Sequence, residues 1–149
     1  MTAPAFRPIR LLGEISVRAL LIGPNKSKYC ELDSIFGEVG WQLSHVDSWK
    51  QASALPELVD FTHFFFEDTS RDHDWVLALE EINSLPSAAS FILVTRLGDD
   101  RLWSEVLMRG GYDVLMEPFH PMEVTRVVHA ARQHSLRQRA QAPPATVVH

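Results

Sequence analysis

Three short runs, VRALLIG at 17–23, FTHFFFED at 61–68 and SFILVT at 90–95, each contain consecutive apolar residues (ALLI, FFF and FILV) where an alternating strand would have polar ones between. A strand with one wet face alternates apolar with polar residues, so continuous runs of this length mark strands covered on both faces. They fall far short of the roughly 18 apolar residues that a membrane span requires. The chain therefore has to supply covering layers for a buried sheet. The middle run adds a puzzle, because three phenylalanines lead straight into Glu67 and Asp68.

The segments between these runs are the covering layers. NKSKYCELDSIFGEVG sets Tyr29, Leu32, Ile35, Phe36 and Val39 at helical spacing, with Asn25 or Ser27 able to cap its start and Gly37 or Gly40 its end. WQLSHVD reads as a second, less apolar strand, and SWKQASALPEL as a weak helix. The polar loop DTSRDHD then leads into WVLALEEIN, which brings Trp75, Leu79 and Ile82 to one face. DDRLWSEVLMRGG reads as a helix with Leu102, Trp103, Val106 and Leu107 turned inward, Trp103 and Trp75 serving as core anchors. YDVLME is a fifth strand, and the final helix, from about 122 to 138, carries Val124, Val127, Val128 and Ala131 on one stripe.

Five strand–helix pairs in regular alternation specify an α/β fold, a five-stranded parallel sheet with helices on both faces. The organisation expected is an N-terminal extension at 1–15, one folded domain at 16–138 and a Pro- and Ala-rich flexible tail at 139–149. With 149 residues and 46% apolar content, one core is affordable. A net charge of −5 argues against nucleic acid and anionic membrane as partners. The single cysteine, Cys30, excludes an intramolecular disulfide and a cysteine-based zinc site, in keeping with a reducing cytoplasm. MTAPAFRPIR lacks the apolar centre of a signal peptide, so a soluble cytoplasmic domain is expected.

In sheets of this kind functional groups collect at the carboxyl ends of the strands. That rule selects Gly23-Pro24-Asn25, Glu67-Asp68, Thr95-Arg96 and Glu117-Pro118. At these four places, from about 17 to 134, the sequence resembles a response-regulator receiver domain, the phosphoryl-accepting module of two-component signalling. GGYDVLMEPFHPMEV at 110–124 is similar to the receiver pattern of small-residue turn, fifth strand, lysine, proline, phenylalanine and last helix, and FILVT at 91–95 to the fourth strand ending in a hydroxyl. The resemblance implies a flavodoxin-like (βα)5 fold. It puts Glu67 at the phosphoacceptor position, with Asp68 as the alternative under a shifted register, Thr95 at the switch hydroxyl, and a cis bond before Pro118.

The departures are as informative. Gly23 and Pro24 stand where the family's two magnesium-holding acids would be, Glu117 where its lysine would be, and Val114 where its aromatic switch residue would be. Phosphoryl transfer to a carboxylate needs cations to neutralise charge on the phosphoryl oxygens. Two like charges about 6 Å apart repel by roughly 2–3 kcal/mol at an effective dielectric near 20. The sequence thus implies an inherited fold without its phosphorylation chemistry, no catalytic residue, no cofactor, and weak or absent magnesium binding.

Alternatives stay open. Glu67 and Glu117 are solvated carboxylates, or they share a cation such as Arg96. A phosphomimetic Glu67 lacks the lysine that would read its charge. Phosphorylation at Glu67 or Asp68 with a relaxed metal requirement is a second function, and a small-ligand or flavin site a third. GPNKSK has neither phosphate-loop fingerprint, and neither His63 nor His45 has a partner at metal spacing. By the resemblance, Arg101, Glu105, Arg109, Asp113, Glu123 and Arg126 would form a mixed-sign face for a homodimer or for a sensor kinase or output protein; ordinary solvated charges are the alternative.

Overall fold

The computed structural model describes residues 15–69 and 74–141; part of the expected N-terminal extension, most of the DTSRDHD loop and residues 142–149 of the expected tail lie outside them. The order is β1 (Arg18–Ile22), α1 (Lys26–Glu38), β2 (Gln42–Val46), α2 (Trp49–Ser53), a 3-10 turn (Leu58–Asp60), β3 (His63–Glu67), α3 (Asp74–Asn83), β4 (Ser90–Thr95), α4 (Asp100–Met108), β5 (Asp113–Met116) and α5 (Pro121–Gln141). All strands are parallel, in the order β2-β1-β3-β4-β5.

Strand parity divides the core. Ala19, Leu21, Phe65, Ile92, Val94 and Leu115 pack beneath Leu32 and Phe36 of α1 and Val124, Val127 and Val128 of α5. Their neighbours Leu20, Ile22, Phe64, Phe66, Phe91 and Leu93 face Trp75 and Leu79 of α3 and Val106 of α4. This is why the three phenylalanines are consecutive: each layer needs apolar area from β3, and alternate side chains serve opposite layers. Complete burial of such a side chain contributes about 1.5–3 kcal/mol.

Helix ends follow the local signals in part. Asn25 caps α1, its Oδ1 accepting from the Ser27 N–H at 3.0 Å, but the helix runs through Gly37 and stops at Val39, with Gly40 at φ 78°. The SWKQASALPEL segment splits into the five-residue α2 and the 3-10 turn because Pro56 cannot continue a helix. The final helix reaches Gln141, three residues beyond the expected end.

On α4 the expectation fails. Only Val106 is fully buried, while Trp103 is 46% exposed and donates its indole N–H to Asp113 Oδ1 at 3.2 Å. Helical spacing placed Trp103 with the apolar stripe, but its ring lies over the β5 edge. Trp75 does anchor the core, its ring centroid 6.4 Å from that of Phe91. Among the described residues no helix is long and apolar enough to cross a membrane.

Candidate functional site: a buried lysine between two glutamates

The parity that sorts the core also builds the site. Glu67 continues the register of Phe65, and Glu117 that of Leu115, so both acids turn to the α1/α5 layer at the carboxyl edge of the sheet. There they meet Lys28. Its Nζ lies 3.1 Å from Glu67 Oε2 and 2.6 Å from Glu117 Oε2. Lys28 and Glu67 are each only 6% exposed. Glu117 Oε2 is closed off from solvent and makes no hydrogen bond of regular geometry, so the ammonium is the charge that compensates it. The remaining oxygen of Glu67, Oε1, accepts the Asn25 N–H at 3.1 Å.

Two sequence expectations are corrected here. Glu67 and Glu117 are not solvated strand-end carboxylates, and the cation they share is Lys28, whereas Arg96 is exposed. A lysine does meet Glu67, supplied by α1, while the position before Pro118 holds Glu117 as the sequence has it. Its signal was in the sequence. Lys28 precedes Leu32, Ile35 and Phe36 at offsets of four, seven and eight, which puts it on the buried stripe of its own helix. A lysine on an apolar stripe needs a buried anion, and two were available.

The position before Pro24 is shaped by the same side chain. A Cβ added to Gly23 would collide with Glu67 Oε1 and Cβ. With Gly23 at φ 158° and Glu67 packed against it, this backbone leaves room only for glycine at 23. His45 secures this loop from β2, its Nε2 at 2.7 Å from the Gly23 carbonyl, with its ring stacked on Tyr29 at 5.3 Å.

The divalent metal implied by the resemblance does not fit these residues. Gly23 and Pro24 offer no side-chain oxygen, and the ammonium already sits against Glu67. Among the described residues no group of three or more His, Cys, Asp or Glu side chains is arranged to hold a metal ion.

Asp68 points elsewhere. The Thr95 hydroxyl donates to Asp68 Oδ2 at a long 3.5 Å and accepts the Leu97 N–H at 3.2 Å. Thr95 is therefore engaged by the acid beside Glu67 and not by Glu67. The peptide between Glu117 and Pro118 is cis. The open cleft above has a volume of about 480 Å³ and is lined by Asn25, Lys28, Glu67, Asp68, Thr95 and Arg96, among others.

Of the six residues expected on a pairing face, three are satisfied within the chain. Arg109 pairs with Glu105 one turn away at 3.3 Å, and Asp113 accepts from Trp103 and from the Val114 N–H. Arg101 and Arg126 are exposed and Glu123 is half-buried. The same face also presents apolar groups. Leu97 is 83% exposed and Met122 84%, and a groove of about 390 Å³ runs between Trp103, Val114 and Met116.

No protein-family model matches the chain, and no curated protein sequence does. Solved structures do. A response regulator from Thermotoga maritima aligns with a TM-score of 0.72 at 10% identity, covering 80% of this chain and 99% of that one. The signal receiver domain of a Luxo repressor protein from Vibrio parahaemolyticus aligns at 0.70 and 17% identity, covering 87% and 100%. The beryllofluoride-activated NtrC4 receiver domain dimer aligns at 0.71 and 19% identity, covering 79% and 98%. The fold of this chain is that of response-regulator receiver domains, in agreement with the five parallel strands and flanking helices expected from the sequence.

Proposed function

We propose that this chain is a receiver-like module of two-component signal transduction that acts through protein–protein contact, with no acyl-phosphate formed at Glu67 and no catalytic activity of its own. The observation that carries this reading is the Lys28 ammonium held between Glu67 and Glu117. A carboxylate that accepts a phosphoryl group must be free to approach phosphorus, and cations must neutralise the oxygens that gather charge in the transition state. Here both oxygens of Glu67 are engaged, and the Lys28 ammonium is divided between two carboxylates. The triad keeps a net negative charge, which repels a phosphoryl dianion.

Thr95 supports the same conclusion, since its hydroxyl is turned to Asp68. A phosphomimetic Glu67 would need that hydroxyl, so its negative charge has a lysine to meet but no switch to move. A flavin or nucleotide finds little support. Among the described residues, the cavity of about 350 Å³ beside β1 and β3 is lined by Asp47, Glu67, Asp68 and Asp74 against Lys50, a charge balance that disfavours phosphate.

Incubation with a small phosphodonor and magnesium, followed by intact mass measurement, tests this function. The expected mass is unchanged; gain of one phosphoryl group, mapped to Glu67 or Asp68, would overturn the reading in favour of a phosphoacceptor with relaxed metal requirements.

For the contact surface, the exposed Leu97, Trp103, Met116 and Met122 favour self-association through the α4–β5–α5 face. The NtrC4 receiver in the comparison is itself a dimer. Light scattering at high micromolar concentration is expected to show a dimer that Trp103→Ala weakens. A monomer unaffected by that change would remove this face from the account.

A further inference from the structure

We propose that the Lys28 ammonium is the resident cation of the cleft, an internal counter-ion that keeps divalent metal out, so that the site accepts a metal ion only when that charge is removed. The inference rests on the reading of the cleft as closed to phosphoryl chemistry and says what closes it.

The anchoring of Lys28 carries the argument. Its stem lies on the buried stripe of α1 with Leu32, Ile35 and Phe36, so the ammonium is delivered to one place by packing. The helix start is tied to the same acid, because the Asn25 N–H bonds Glu67 Oε1 while the Asn25 side chain caps the first turn. One oxygen from each glutamate faces the single nitrogen. A divalent ion approaching that space meets a fixed positive charge and finds the facing oxygens taken. The contact thus joins α1, β3 and the segment that follows β5 in one arrangement without phosphate or metal.

Removing the charge reverses the situation. Two carboxylates confined around one vacated position repel, and either a proton or a cation relieves them. Magnesium and manganese bind through one or two carboxylates and keep several waters, so with the ammonium gone Glu67 and Glu117 can supply the oxygens that Gly23 and Pro24 do not.

The test compares the wild type, Lys28→Arg, Lys28→Gln and the double variant Lys28→Gln/Glu117→Gln, each with and without MnCl2. The readouts are thermal midpoint and manganese-induced broadening of the Asn25 and Glu67 amide signals. The wild type and Lys28→Arg are expected to ignore manganese. Lys28→Gln should gain a saturable rise in midpoint of several degrees with broadening at both amides, and the double variant should lose it. If Lys28→Gln does not fold alone, refolding from urea is followed in both buffers: recovery only with manganese supports the proposal, and none in either buffer overturns it. Relief of Lys28→Gln by acidification but not by manganese would overturn it, as would manganese binding beside Glu67 in the wild type. Indifference of Lys28→Gln to manganese leaves the unmodified mass in the phosphodonor test untouched, so the two readings fail separately.

Discussion

The two ends of the sheet bury polar groups in opposite ways. At the carboxyl ends Lys28, Glu67 and Glu117 bury charge. At the amino ends the buried polar groups are neutral. His63 is fully buried with Nε2 at 2.9 Å from the Val128 carbonyl, which only accepts, so Nε2 carries the proton and Nδ1 accepts from the Thr62 hydroxyl at 2.7 Å. Beside it, the Ser90 hydroxyl donates to the Ala131 carbonyl at 3.2 Å and meets the Ser135 hydroxyl at 2.7 Å. This neutral seam docks α5 onto the sheet, and it satisfies every hydrogen-bonding group of His63. At the charged end one ammonium serves two carboxylates, which points to a use other than stability, since buried ion pairs seldom stabilise more than apolar packing does.

The contrast makes ranked predictions. Lys28→Met, which leaves two glutamates facing each other in a buried site, should lower unfolding free energy by about 3–5 kcal/mol in urea titrations. A change under 1 kcal/mol would contradict the role of Lys28 as the counter-ion of both acids.

The next effect is a pH dependence from the neutral seam. Burial, followed by the nearby positive charge of Arg132, lowers the His63 pKa from 6.5 to about 4, against an opposing contribution from its bond to Val128. The folded state therefore resists a proton that the unfolded chain accepts. The stabilisation is fully present above pH 6.5, falls as pH drops toward 4, and changes no further below that. Its total is about 3 kcal/mol. Stability of His63→Gln measured across that window should lack one proton's worth of slope; an unchanged slope would assign the dependence to other groups.

Smaller again, Ser135→Ala leaves Ser90 its bond to Ala131 and should cost about 1 kcal/mol. Smallest is Arg109→Ala. Its exposed pair with Glu105 contributes about 0.3–0.5 kcal/mol, so a chemical-denaturation midpoint should barely move.

The fold was legible because the covering layers follow two periods that the sequence displays openly. The consecutive phenylalanines at 64–66 announce a strand buried on both faces, and Val124, Val127, Val128 and Ala131 announce the stripe that covers it. Trp103 departs from its expected inward position because helical spacing gives a face but not how far the neighbouring layer extends. The candidate site was half legible. The acids stood where strands emerge, but their counter-ion lies 39 residues before Glu67 on another element, and no local spacing connects the two. Nor does a sequence show that a glycine at 23 is the space into which a glutamate at 67 folds.

The central claim is that Lys28 and Glu117 are partners through charge, and a double-mutant cycle tests it most directly. Urea unfolding of Lys28→Met, Glu117→Gln and the double variant gives the coupling between them. The account predicts that removing the Glu117 charge restores stability to Lys28→Met, so the double variant is more stable than Lys28→Met alone. A double variant destabilised by the sum of its two single changes would contradict it.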